Sequence, residues 1–335
     1  MQIVVENLQK DFYVNELKGE GIRGILKNLL KKNRKKVEAV KELSFEIAEG
    51  EIVGFLGQNG AGKSTTIKIM TGILTPTRGA VKVCGIIPYK KRQQNAKNIG
   101  VVFGHRTQLW WDLPAKDSFL LLKKMYEIDD LTYKRNLSYF VELLDMESFI
   151  ERPVRQLSLG QRMRCDLAAA FLHNPSIVYL DEPTIGLDIT SKKKIREFIR
   201  EVNKERKSTI VLTTHDMSDI EQLATRVIVI ANGEMIYDGS IEQLRMQYQN
   251  ERVLKFLLKE EINEYLDLRE WNHKVTVDYK NDELIIRMPV NIPIKQMIDW
   301  VTSQCVVKDI KIDETSIEDI IEEVYKQCGN QYISM

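Results

Sequence analysis

No CxxC pair occurs in this sequence, and only four cysteines, Cys84, Cys165, Cys305 and Cys328, are scattered over its 335 residues. That pattern offers no metal-ligand spacing, and the cysteines read as small buried residues in a reducing compartment. No apolar run approaches the ~20 residues a membrane-spanning helix needs, so the chain is not expected to cross a bilayer itself. The opening Gln2-Ile3-Val4-Val5-Glu6 alternates like a strand. It lacks the basic start, apolar stretch and small-residue cleavage site of a signal peptide, which predicts a cytosolic chain. An excess of either charge is missing as well: 49 Lys and Arg stand against 48 Asp and Glu, a formal net charge of +1. This balance argues against a dedicated nucleic-acid binder. Internal repeats and low-complexity segments are absent.

What is present is an ordinary globular composition, 43% hydrophobic and 29% charged. The chain is longer than one hydrophobic core usually serves, so one large domain plus a smaller one is expected. Ile3–Phe12 and Val37–Ala48 read as strands flanking an inserted stretch, Val14–Lys36. Glu51–Leu56 is a short apolar strand that runs into a glycine-rich turn and a helix from about Lys63. Apolar strands recur at Ile177–Leu180, Thr209–Thr213 and Arg226–Ile230, separated by helical patterns. In the helix opening near Thr190, Ile195, Phe198, Ile199 and Val202 share one face. Such alternation predicts an α/β layer fold with a largely parallel sheet. Helical patterning from Lys116 to Phe171 predicts a helical subdomain interrupting it.

After about Ser240 the pattern changes. Val253–Leu258 reads as a strand, and two alternating runs, Val275–Tyr279 and Leu284–Met288, flank the turn Lys280-Asn281-Asp282 as a hairpin. Ile294, Met297, Ile298 and Val301 fit a helix face, and Val306–Ile312 is another strand. Thr315-x-x-Glu318 is a capping box opening a last helix, Ile317–Lys326. Together these predict a small α+β domain.

Two motifs carry chemistry, the second by its pairing with the first, since two acids at a strand end taken alone read as solvated. Gly57-Gln58-Asn59-Gly60-Ala61-Gly62-Lys63-Ser64 fits G-x-x-x-x-G-K-S/T directly between a strand and a helix, the context of a phosphate-binding loop, and Thr65 extends it. Glycines let backbone N–H groups curl around phosphates, the helix N-terminus favours negative charge, and Lys63 reaches the β/γ-phosphates. Ser64 supplies a hydroxyl to Mg²⁺. Ile177-Val178-Tyr179-Leu180-Asp181-Glu182 is a buried-type strand ending in two acids. That suits a metal-facing Asp181 and a water-polarising Glu182.

With these in place, Gln156-Leu157-Ser158-Leu159-Gly160-Gln161-Arg162 resembles the signature motif of ATP-binding cassette proteins. Asp181-Glu182-Pro183-Thr184-x-Gly186-Leu187-Asp188 and the switch-histidine segment Thr213-Thr214-His215-Asp216 resemble the same family. The resemblance covers about residues 1–240. It implies a P-loop ATPase cassette, α/β with an antiparallel β subdomain and a helical subdomain, using ATP and Mg²⁺. The boundaries expected are 1–240 for the nucleotide-binding domain, with its insertion at about 14–36, and 241–335 for the α+β accessory domain. The resemblance implies that Glu182 and His215 are catalytic and that Asp188 belongs to the nucleotide site. Ser158, Gly160 and Gln161 open a helix, expected over Gln161–Leu172, where free N–H groups and the dipole attract an anion by up to about 2 kcal/mol. In the family that site grips the γ-phosphate of ATP held by the opposite subunit. Two cassettes then sandwich two nucleotides head to tail, as a homodimer or as a heterodimer with another cassette.

Departures from the family pattern leave choices open. Leu159 stands where glycine is commonest. Phe12, next to Tyr13, sits where the family stacks an aromatic on adenine, a role that competes with a plain core role. In Ile99-Gly100-Val101-Val102-Phe103-Gly104-His105-Arg106-Thr107-Gln108, His105 holds by spacing the place of the family's metal- and water-contacting glutamine, whereas Gln108 has its chemistry. The following Leu109-Trp110-Trp111-Asp112-Leu113-Pro114 is either an exposed permease anchor or part of the helical core. Ile22, Ile25, Leu26, Leu29 and Leu30 have helical spacing and lead into Lys31–Lys36. Residues 22–36 could therefore lie against lipid headgroups or form a solvated face beside a packed one.

The small C-terminal domain, with its closing Asp313-Glu314-Thr315-Ser316-Ile317-Glu318-Asp319-Ile320, resembles the tail of cassettes from drug, antibiotic and sodium exporters, a reading the Thr107–Pro114 stretch supports. Those act with integral-membrane permeases of about six spans, each of ~20 apolar residues, at the cytoplasmic face of the membrane. An ATPase subunit driving a separate exporter permease is the leading expectation. A cassette acting on nucleic acid or ribosomes, and an importer motor with a regulatory C-terminal domain, are the alternatives.

Overall fold

Ile3–Asn15 (β1) and Arg34–Ile47 (β2) pair antiparallel in a register that runs from Ile3↔Ile47 to Asn15↔Arg34. The structure is a computed structural model that describes residues 1–15, 34–104, 106–248, 251–259, 271, 275–280, 282–313 and 316–333. Both strands are longer than expected, because Val14 and residues 34–36 continue the ladder instead of belonging to the insertion. Most of the predicted amphipathic stretch, 16–33, lies outside the described residues. Its basic end does not: Lys36 is a strand residue that pairs with Glu38 at 2.6 Å and Asp11 at 3.2 Å. One carboxylate across the ladder, Asp11, and one on the same strand, Glu38, thus engage part of the charge that the sequence offered to a helix.

The chain divides into two compact units, Met1–Ile241 and Glu242–Met335. In the first, Arg78–Val83 (β4) joins β1 to give an antiparallel sheet of order β2-β1-β4. A six-stranded sheet is built from Ile52–Gly57 (β3), Ile99–Phe103 (β5), Ile177–Asp181 (β6), Thr209–Thr213 (β7), Arg226–Ala231 (β8) and Glu234–Ser240 (β9). Its order is β5-β6-β7-β3-β8-β9, parallel throughout except for the β8–β9 pair. β3, β6 and β7 are continuous apolar runs because both faces of a parallel sheet are covered. One core cluster joins the two sheets, with Phe45 of β2 and Phe55 of β3 tilted against each other at 5.8 Å.

Helices Lys63–Met70 (α1) and Arg92–Asn98 (α2) connect strands. The helical layer consists of Ala115–Met125 (α3), Asp130–Leu143 (α4) and Leu159–Phe171 (α5). Ile189–Arg206 (α6) buries the stripe Ile195, Phe198, Ile199 and Val202, as the periodicity predicts. Phe198 receives Phe140 of α4 and Phe171 of α5 edge-on at 5.6 and 5.3 Å, which ties the helical layer to α6. Met217–Leu223 (α7) follows β7, and Ile241–Tyr248 (α8) begins at the boundary between the units.

The second unit is a four-stranded antiparallel sheet of Glu251–Leu258 (β10), Thr276–Lys280 (β11), Glu283–Pro289 (β12) and Val307–Asp313 (β13), in the order β11-β12-β10-β13. Ile294–Gln304 (α9) packs Met297, Trp300 and Val301 onto Leu254, Phe256, Leu284 and Ile286. Ile317–Ile333 (α10) ends the described chain. Thr315, expected to cap it, lies outside the described residues; among those described, Ser316 accepts the Asp319 N–H at 3.1 Å. Among the described residues no helix is long and apolar enough to cross a membrane.

Candidate active site

β6, β7 and β3 are neighbours and run parallel, so their C-terminal ends meet at one edge of the sheet. There, a cleft of about 470 Å³ is lined by Gln58, Asn59, Gly60, Gly62, Lys63, Ser64 and Thr65 together with Asp181, Glu182 and His215. Gly57 and Ala61 shape the loop without lining it; Ala61 is buried. Gly62 is the N-cap of α1 at φ +108°, and a Cβ there would lie 2.6 Å from the Ala39 carbonyl oxygen. Only glycine fits both the dihedral and the space. Ala39 and Ile185 also line the cleft, and no signal in the sequence marks Ala39.

Lys63 donates from Nζ to the Gly57 carbonyl oxygen and, at 3.2 Å, to that of Gln58. Burial draws its pKa below the usual lysine value, against the opposing pull of Glu182 and Asp181. Its ammonium is parked on loop carbonyls, where an anionic oxygen would be a stronger partner. Asp181 accepts the Thr213 hydroxyl through Oδ1 at 2.5 Å, which leaves Oδ2 for another contact. A carboxylate and the Ser64 hydroxyl in one cleft are the hard oxygen donors Mg²⁺ prefers, with substrate phosphate and water completing its shell.

Glu182 follows β6 at φ +56°, a left-handed conformation seldom adopted by glutamate. Its Oε2 accepts the His215 backbone N–H at 3.3 Å, and its Oε1 lies 3.5 Å from His215 Nε2. Burial pushes the Glu182 carboxyl above the usual glutamate value, partly offset by His215. A second cavity of about 490 Å³ touches Ser176 and Ser208, at the opposite ends of β6 and β7, and contains none of the phosphate-loop residues.

The signature residues lie elsewhere. Ser158 caps α5 in a capping box: its Oγ accepts Gln161 N–H at 3.2 Å, while Gln161 Oε1 accepts Ser158 N–H at 3.0 Å. Both side chains keep a free donor, the Ser158 O–H and the Gln161 NH₂. Gly160 is buried where a Cβ would meet Ser191 Oγ at 2.5 Å. Asp188 caps α6 through Ser191 N–H and hydroxyl, at 2.9 and 2.7 Å, which holds its carboxyl below the usual range. None of these four lines the cleft of its own chain. Leu159 stays exposed beside them.

Gln108 does not reach the cleft. Its Nε2 donates to the Asp166 carbonyl oxygen at 3.0 Å, and its N–H donates to Asp166 Oδ1, also at 3.0 Å. His105 lies outside the described residues. Trp110 and Trp111 are exposed, 39% and 50%, which decides against burial in the helical core, and Arg162 of α5 lies over the Trp111 ring at 5.8 Å. Phe12 is half-buried under the Lys10 ammonium, Tyr13 is exposed, and neither lines the cleft.

Asp166 is a residue the sequence reading missed, although a lone carboxylate in Cys165-Asp166-Leu167-Ala168-Ala169-Ala170 was visible there. Burial pushes its pKa up to about 6, against the lowering hydrogen bonds from Thr107 and Gln108. An acid with a folded pKa above its unfolded ~3.9 binds more protons folded than unfolded in between, so stability is lost as pH rises from about 4 to about 6. Asp166→Asn keeps an acceptor for Thr107 and Gln108. Its stability advantage over the parent should grow from pH 5 to pH 7, towards about 3 kcal/mol at most. Urea unfolding at both pH values checks this, and an advantage independent of pH would refute it.

A family profile described as ABC transporter matches residues 40–185. The ABC transporter ATP-binding protein NatA of Bacillus subtilis is 36% identical over 65% of this chain and 87% of its own length. The bacitracin transport ATP-binding protein BcrA of Bacillus licheniformis is 30% identical over 84% of this chain and 90% of its own. A dimeric post-hydrolysis structure of the ATP-binding cassette MJ0796, bound to ADP and Pi, superposes with a TM-score of 0.59 at 25% identity, over 71% of this chain and 98% of that one. This chain belongs to the ATP-binding proteins of ABC transporters. It is an ATPase that uses ATP with Mg²⁺, and cassettes of this family dimerise and act with membrane permease subunits.

Proposed function

We propose that this chain is the motor of an ABC exporter, peripheral to the cytoplasmic face of the membrane, with Glu182 as the base that activates water against the γ-phosphate of ATP. The observation that carries this reading is the convergence of the phosphate loop, Asp181, Glu182 and His215 on one cleft. The loop N–H groups and Lys63 hold the phosphates, Ser64 and Asp181 hold Mg²⁺, and His215 holds Glu182 and the γ-phosphate in register. Ser158, Gly160, Gln161 and Asp188 do not line their own chain's cleft, which supports a head-to-tail sandwich in which they meet the partner's nucleotide. Phosphate loop and signature occur in one chain, so a homodimer has two complete sites.

The exporter reading is supported by the match to BcrA, a bacitracin transport protein, over 84% of the chain, which reaches beyond the 241 residues of the first unit. Exposed Trp110 and Trp111 suit the anchor for a permease of about six spans, since aromatics dominate interface energetics. Gln108, bound to Asp166, serves that loop's placement, and His105 takes the sensing role by its spacing. Purification of the complex from membranes tests the proposal: a permease should copurify and ATP should be hydrolysed. A solute-binding protein in the complex would favour import instead. Lys63→Ala should weaken ATP binding by about tenfold or more, because a charge-assisted hydrogen bond is worth about 1.5–3 kcal/mol. Titration with a fluorescent ATP analogue measures it, and unchanged affinity would remove Lys63 from the phosphate site.

A further inference from the structure

We propose that Asp219 is a positioning residue for hydrolysis, its buried carboxylate setting the distance between Glu182 and His215. The inference rests on the roles given above to those two residues. Asp219 is fully buried on α7. Its Oδ2 accepts the hydroxyl of Thr184 and, at 3.1 Å, that of Thr214. Its Oδ1 accepts Arg196 Nε of α6 at 2.5 Å. Thr184 lies two residues after Glu182, and Thr214 immediately precedes His215. One carboxylate therefore fastens both segments that carry the catalytic pair.

The geometry leaves little slack. Thr214 Oγ1 also accepts the Asp216 N–H at 3.0 Å, so its one proton is committed to Asp219. Beyond His215, Asp216 is held by Lys192 at 2.5 Å. Both sides of the histidine are thus pinned. Glu182 sits at φ +56°, a conformation that persists only where the surroundings over-determine it. Its own N–H donates to Thr213 at 2.9 Å, and Thr184 fixes the chain just after it. Thr184, Thr214 and Asp219 are all buried and none lines the cleft, so their influence on chemistry runs through what they hold.

The test removes each hydroxyl with almost no change of shape. Thr184→Val and Thr214→Val should each lower kcat by about 10–10²-fold, the scale of an ångström-sized misplacement, while KM for MgATP moves less than about twofold. Thr184→Ser, which restores the hydroxyl, should recover most of the rate. In a Glu182→Gln background, Thr184→Val should cost nothing further, because it acts through Glu182. Two Val variants with parental kcat would overturn the proposal, as would a loss confined to KM or melting temperature, or one that adds in full to that of Glu182→Gln. If Glu182→Gln itself hydrolysed ATP at the parental rate, the reading of the site would fail instead, whatever the threonine variants do.

Discussion

Glu182→Gln is expected to bind ATP and to lose about 10²–10⁴-fold in turnover, the range of a missing general base. Glutamine keeps the volume of glutamate and can still accept the His215 N–H that Glu182 Oε2 holds at 3.3 Å. What it loses is basicity. Burial raises the Glu182 pKa, which makes the carboxylate a stronger base than an exposed glutamate. The base works only when ionised, so parental kcat should fall on acidification at a higher pH than for an ordinary carboxylate. The variant's residual rate should lack that acid limb. With hydrolysis blocked, the nucleotide sandwich cannot discharge, and gel filtration in MgATP should show a persistent dimer. Parental turnover in the variant, or an unchanged acid limb, would remove Glu182 from catalysis.

Ser158→Arg should abolish ATP-dependent dimerisation and turnover while monomer ATP binding stays near the parental value. Ser158 lies at the start of α5 and does not line its own chain's cleft. Arginine cannot accept the Gln161 N–H, a lost cap worth ~1 kcal/mol, and it brings a cation to the positive end of the helix. That is small against the burial of Met163, Cys165, Leu167 and Phe171 along the same helix, so α5 should persist. The arginine would fill the place meant for the partner's γ-phosphate. Mixed with Lys63→Ala chains, the variant should give at most one working site per dimer, read by ATPase titration. Equal loss of monomer ATP binding in Ser158→Arg and Lys63→Ala would rule out the head-to-tail arrangement.

How far the fold could be read beforehand varied with the kind of signal. The α6 stripe and the hairpin around Asp282 were legible because side-chain period reports the buried face directly. The length of the β1–β2 hairpin was not. Lys35 and Lys36 look like a solvated run in sequence, yet on a sheet edge they stand opposite Val14 and Tyr13, and Lys36 finds the Asp11 carboxylate across the ladder. The tryptophan pair and Gln108 show the same limit, since apolar bulk or an amide at a given position does not say which neighbour will claim it.

The phosphate loop, the acid pair ending β6, the signature and the switch histidine were determined by the sequence alone, because each is a short run whose chemistry depends on adjacent backbone and side chains. Tertiary structure decided which of them share a cleft. Parallel order brings β3, β6 and β7 side by side and so gathers Lys63, Asp181, Glu182 and His215, while Ser158 and Asp188 are left outside. It also decided the partners of the buried carboxylates Asp166 and Asp219, from loops and helices remote in the chain. A buried charge must be met by whatever donors the packing brings within reach, and those donors are set by the fold and not by the neighbouring sequence.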